Sequence, residues 1–146
     1  MSLQGGFKLN EFTFEELDVR HRESFTKKIS DSDILMFSEL SGDKNPLHLD
    51  NDYAKSTEFK KCVAFGMIGS IMHSALAGMY LPGKYSLILK EESSFISPIY
   101  SGDMLTITGE IAKKTDFGKL IFIDTKISNQ ENKIVIKGKL AVKVLK

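Results

Sequence analysis

Asp43, Asn45 and His48 fall within one short stretch, Ser-Gly-Asp-Lys-Asn-Pro-Leu-His, that runs from Ser41 to His48. A carboxylate and an imidazole that converge on one water molecule make a general acid–base pair. The imidazole is the side chain whose unperturbed pKa lies nearest neutrality. A positioned acid or base of this kind typically contributes a rate factor of ~10²–10⁴. On an α-helix, Asp43 and His48 would point to different faces, because helical neighbours lie three and four residues apart. Pro46 biases Asn45 away from the helical region, which predicts a loop. A loop can bring both side chains to one point. The same residue types also make an ordinary surface turn, since Asp and Asn bond their own backbone. Residue types alone leave both readings open.

The elements that must position this stretch follow from periodicity. Glu23–Ile29 reads as a strand. Ser30 or Asp31 can cap a helix in which Ile34, Phe37 and Leu40 recur on one face, and Gly42 suits its left-handed stop. One helical turn is expected after Asp50. Residues 63 to 83 carry no Asp, Glu, Lys or Arg. Gly66 can open a helix there and Pro82-Gly83 closes it. A helix apolar on nearly all sides is buried on nearly all sides. His73 lies seven residues beyond Gly66, about two turns on, and reads as a satisfied buried histidine. The rest alternates with period two. Leu105, Ile107, Gly109 and Ile111 share a face, as do Ile121, Ile123, Thr125 and Ile127, and as do Ile134, Ile136, Leu140, Val142 and Val144 opposite Lys137, Lys139 and Lys143. These are antiparallel strands with one wet face. The fold class is α+β, a curled antiparallel sheet around one long central helix. One sheet covers only part of such a helix, so a homodimer or higher homo-oligomer is expected.

The bulk numbers exclude several classes. At 146 residues the chain is one domain, read as residues 11–146 behind a flexible N-terminus at 1–10. Twenty basic residues against nineteen acidic ones leave a net charge of +1, which argues against nucleic-acid binding. The low-charge segment is too short and too polar to cross a membrane. A single cysteine, Cys62, excludes an internal disulfide, offers no metal-ligand spacing and suits a reducing cytoplasm.

The stretch from Ser41 to Asp50 resembles the signature of the MaoC-like, (R)-specific enoyl-CoA hydratases, roughly Ser-Gly-Asp-x-Asn-Pro-Leu/Ile-His. The segment from Ala64 to Gly83 is similar to that family's central helix, and Phe95–Ile111 to the strand region after it. The likeness covers roughly residues 12 to 145. It implies a dimeric hotdog fold and reversible hydration of trans-2-enoyl thioesters of CoA or acyl carrier protein. It further implies that Asp43 and His48 activate the water that adds to C3, and that the Gly66 N–H donates to the thioester carbonyl. Ser74 matches a family serine near the catalytic pair, and Asn45 orients the loop. Phe65 and Met67 flank Gly66 as candidate substrate-pocket residues. Phe65 departs from the family, which usually has His before this Gly, and substrate choice depends on that difference. No metal or redox cofactor is implied, because the proton transfers need only a carboxylate, an imidazole and water. A thioesterase of the same fold and a non-catalytic acyl-thioester binding module are the alternatives.

Overall fold

The computed structural model describes residues 8–146. After a 3₁₀ turn at Phe14–Glu16, the chain forms β1 (Arg22–Lys28), α1 (Asp31–Ser41), α2 (Pro46–Leu49) and α3 (Asn51–Ser56). A helical run follows as α4 (Gly66–Ser70), α5 (Met72–Ala75) and a π-helical turn at Leu76–Tyr80. Strands β2 (Ser86–Phe95), β3 (Met104–Thr115), β4 (Leu120–Ser128) and β5 (Ile134–Val144) complete the chain. All pairings are antiparallel, in the spatial order β1-β3-β4-β5-β2. The sheet is therefore open, with β1 and β2 as its edges.

Local chemistry explains α1. The Ser30 hydroxyl accepts from the Asp33 N–H while the Asp33 carboxylate accepts from the Ser30 N–H, a reciprocal box at the N-terminus. Gly42 ends the helix in the left-handed conformation, as expected. Of the three residues expected on its buried face, Ile34 is buried and Phe37 half-buried, but Leu40 is 89% exposed. Leu40 sits in the last turn, beyond the edge of the surface that α1 covers.

The strands alternate as their sequences predict. Leu105, Ile107, Ile111, Ile121, Ile123, Ile127, Leu140, Val142 and Val144 all point into one core. One residue breaks the pattern. Val135 is fully buried beside buried Ile136, and Ile134 is only half-buried. The register between β4 and β5 shifts there, with Ile127 opposite Ile136 but Ser128 opposite Ile134. The extra residue lets two successive side chains turn inward.

The central helix differs from a uniform rod. Its last turn widens so that the Leu81 N–H reaches the Leu76 carbonyl at 2.8 Å, five residues back. Burial is also less complete than its composition suggests. Ile68, His73, Leu76 and Ala77 face the sheet, while Met67 (60% exposed) and Ile71 (48%) do not. One open sheet covers only one side of the run. Of the N-terminal segment expected to be flexible, residues 1–7 lie outside the described residues. Asn10 is held by hydrogen bonds to the end of the central helix. No helix among the described residues is long and apolar enough to cross a membrane.

Candidate active site

His48 lies on α2, a single helical turn, rather than on a loop as Asn45-Pro46 suggested. Pro46 occupies the first helical position, where its missing N–H costs nothing. Asn45 is the N-cap, and its side-chain oxygen accepts from the Leu47 N–H at 3.0 Å. Asp43 lies in the connection before it. One carboxylate oxygen accepts from the Asn45 N–H at 2.9 Å, and the Asp43 carbonyl accepts from the Ser38 hydroxyl at 2.7 Å. The turn reading and the site reading are therefore both present in the same residues: Asp43 shapes the bend that presents His48, and its carboxylate stays exposed.

The His48 ring is fixed on two sides. Its Nδ1 is 2.8 Å from the Val63 carbonyl oxygen. A carbonyl only accepts, so Nδ1 carries the proton and donates. In the neutral ring, Nε2 is left with its lone pair, the arrangement a general base needs. The face of the imidazole packs on Phe65, with ring centroids 4.1 Å apart, and Phe65 packs in turn on Phe37 at 4.9 Å. Phe65 is 2% exposed, so it acts as the floor under His48; it is not among the residues that line the groove His48 opens onto.

His48 and Gly66 open onto one groove of about 360 Å³, whose other walls include Phe59, Val63, Phe95 and Pro98. Gly66 begins α4, and the N-cap Phe65 has no side-chain acceptor to offer the helix's first N–H groups. These donors are the ones that lack intrahelical partners. The Phe95 ring lies directly over Gly66: a Cβ there would come within 3.1 Å of Phe95 Cδ1. The structure thus brings His48 and Gly66 together. Asp43, Asn45, Ser74 and Met67 are exposed and lie outside the groove's lining. Phe59, Pro98 and the Val63 carbonyl are site elements that sequence reasoning passed over, whereas Phe95 reads from the sequence as either core or tunnel lining and is found lining the groove. Phe59 reads as an ordinary apolar position, and a backbone carbonyl leaves no mark in the side-chain pattern.

Two titratable groups near the site serve structure. His73 is buried, as expected, with Nδ1 2.9 Å from Glu91 Oε1 and Nε2 2.8 Å from the Thr125 hydroxyl. Both ring nitrogens are satisfied, which ties the central helix to β2 and β4. Burial, and secondarily the Asp50 carboxylate, push the Cys62 thiol above its ordinary pKa.

The comparisons with known proteins agree with this architecture. The MaoC like domain family matches residues 15–133. The chain is 34% identical over 131 residues to an (R)-specific enoyl-CoA hydratase of Rhodospirillum rubrum, covering 90% of each. It is 31% identical over 130 residues to an (R)-specific enoyl-CoA hydratase of Aeromonas caviae, covering 89% of this chain and 97% of that one. Among solved structures, an unliganded (R)-hydratase of Pseudomonas aeruginosa superposes with a TM-score of 0.88 at 31% identity, over 93% of this chain and 87% of that one. The open antiparallel sheet with its central helix is thus the hotdog fold. Similarity of sequence and of fold runs through the helical run, the groove and the strands alike, and by that continuity the chain belongs to the MaoC-like family.

Proposed function

We propose that this protein is a hydro-lyase that reversibly hydrates trans-2-enoyl thioesters to (R)-3-hydroxyacyl thioesters, with CoA or acyl carrier protein as the carrier. The observation that carries the proposal is the pairing of His48 and Gly66 on one groove, with the His48 tautomer set by Val63. In the hydration direction His48 Nε2 takes a proton from a water, and the exposed Asp43 carboxylate, on the turn just before α2 and outside the groove's lining, is assigned to hold that water from the side. The water oxygen bonds to C3, and the C2=C3 electron pair shifts toward the carbonyl. Charge gathers on the thioester oxygen, where the Gly66 N–H donates to it. A proton returned by the acid–base pair to C2 completes the addition. Carbon, hydrogen and charge balance in this scheme with no other reactant.

The exposed apolar side chains of the helical run, Met67 and Ile71, together with the open edge of β2, support a second part of the proposal: a two-fold dimer that covers them. Its single thiol fits a reaction carried out in the reducing cytoplasm.

The test is direct. Purified protein should hydrate crotonyl-CoA, seen as loss of enoyl absorbance, and Asp43→Asn and His48→Ala should each abolish it. Robust turnover by both variants would reject the assigned roles. Release of free CoA from a saturated acyl-CoA would reassign the protein as a thioesterase.

A further inference from the structure

Lys60 and Lys61 stand out in the segment that forms one wall of the groove. They lie between the lining residues Phe59 and Val63, and both are exposed. Elsewhere in this region the lysines are paired, Lys44 with Glu39 and Lys55 with Asp52. Among the described residues, neither Lys60 nor Lys61 has a carboxylate within ion-pair distance. The Lys61 ammonium instead lies 4.0 Å from the centre of the Tyr100 ring. Tyr100 directly follows Ile99, which also lines the groove and whose carbonyl accepts from the Ala64 N–H at 2.7 Å. Lys61 thus reaches from the segment 59–63 to the neighbouring segment at Ile99, both of which line the groove. The contact with the ring orients the amine without neutralising it, since a cation over an aromatic face keeps its charge and its N–H donors. Lys60 holds a left-handed backbone, φ 63°, in the turn between α3 and α4.

We propose that Lys60 and Lys61 form an anion-recognising lip at the groove, whose ligand is the phosphate at the far end of a pantetheine arm. This rests on the hydration reading above and extends it: the groove takes the acyl thioester, and the lip holds the charged end of its carrier. The chemistry is the same for the phosphates of CoA and for the phosphopantetheine of a carrier protein. A lysine suits it as a mobile point charge that needs no fixed fork geometry. The pair contributes to KM and not to kcat, because neither lysine is among the residues that line the groove beside His48 and Gly66.

The experiment compares the wild-type protein with the charge reversal Lys60→Glu/Lys61→Glu and the milder Lys61→Met. Substrates are crotonyl-CoA, a crotonyl acyl carrier protein, and crotonyl-pantetheine, which lacks phosphate. The expected result for the double variant is a KM about tenfold higher for a phosphate-bearing substrate, an unchanged kcat, and unchanged kinetics on crotonyl-pantetheine. The difference should shrink as salt is raised. A KM effect on crotonyl-CoA identifies CoA as the source, and an effect on the protein thioester alone identifies the carrier protein. Equal losses on all three substrates, or no loss on either phosphate-bearing one, would overturn the proposal while leaving the hydratase reading intact. Binding of free CoA, followed by titration calorimetry, tests the lip without turnover. If no thioester is hydrated, the hydratase reading falls, and the lip then stands only if the double variant binds free CoA about tenfold more weakly.

Discussion

Replacing His48 by Asn separates its two nitrogens. The Asn amide N–H can take over the Nδ1 hydrogen bond to the Val63 carbonyl, 2.8 Å away in the native protein, but nothing replaces Nε2. The groove-facing base is lost while the internal anchor is kept. A lost general base lowers turnover about 10²–10⁴-fold, equivalent to ~3–5 kcal/mol of transition-state stabilisation. The stability cost is much smaller. With the carbonyl still satisfied, it is about 1 kcal/mol or less, which moves Tm by no more than ~4 °C. His48→Ala makes the contrast, because it strands the Val63 carbonyl and removes the ring that packs on Phe65, at a cost of ~1–3 kcal/mol. The assay is crotonyl-CoA hydration near neutral pH beside a thermal melt of each protein. The reasoning is wrong if His48→Asn retains turnover within tenfold of the native protein. It is equally wrong if both variants melt alike, since Val63 then needs no donor.

Gly138→Ala should lower Tm by about 4 °C or more, because the new methyl would sit 2.5 Å from the Glu92 carbonyl oxygen, 2.7 Å from Thr125 Oγ1 and 2.8 Å from His73 Cε1. An unchanged or raised Tm would mean that the His73 cluster is loosely packed. The Ser30 backbone N–H, with help from the Ser30 hydroxyl and Lys27, holds the Asp33 carboxyl below its ordinary value of 3.8 against the opposing effect of burial. The stability this supplies is present above that pH and is lost as pH falls through the lower, folded-state value. The stability gap between native protein and Asp33→Asn should therefore be widest near neutrality and close below about pH 4, as followed by urea unfolding across pH. Cys62 should react with a disulfide reagent more slowly than free cysteine at pH 8, because its raised pKa leaves less thiolate. A rate equal to that of free cysteine would contradict the assigned burial.

Much of this molecule is legible along the chain, and the boundary of legibility has a physical cause. The strands β3 and β4 could be read because one side of each faces a core, so alternation in the sequence maps onto alternation in space. The α1 helix could be read because Ser30, Asp33 and Gly42 act within their own turn. The doubled burial of Val135 and Ile136 could not, because it depends on how β5 slides against β4. The helical state of His48 was missed because four residues are too few for periodicity to register. In the candidate site, the motif residues announced themselves through unusual side chains. The partner that fixes the His48 tautomer is a main-chain oxygen fifteen residues away, and a residue of any type could supply it.

The tie between Asn10 and the end of the central helix reaches beyond local order. Its N–H meets the Met79 carbonyl, its side-chain amide meets the Tyr80 carbonyl, and its own carbonyl accepts from Lys84. Gly83 leaves no room for a side chain beneath it, as a Cβ would lie 2.0 Å from the Asn10 oxygen. The terminal carbonyls of a buried helix are thus closed by a residue some seventy positions earlier, as a clasp closes a strap. Peeling back that short leader would wet the helix end from outside, so the amide protons of Asn10 and Lys84 should trade with deuterium at one common rate.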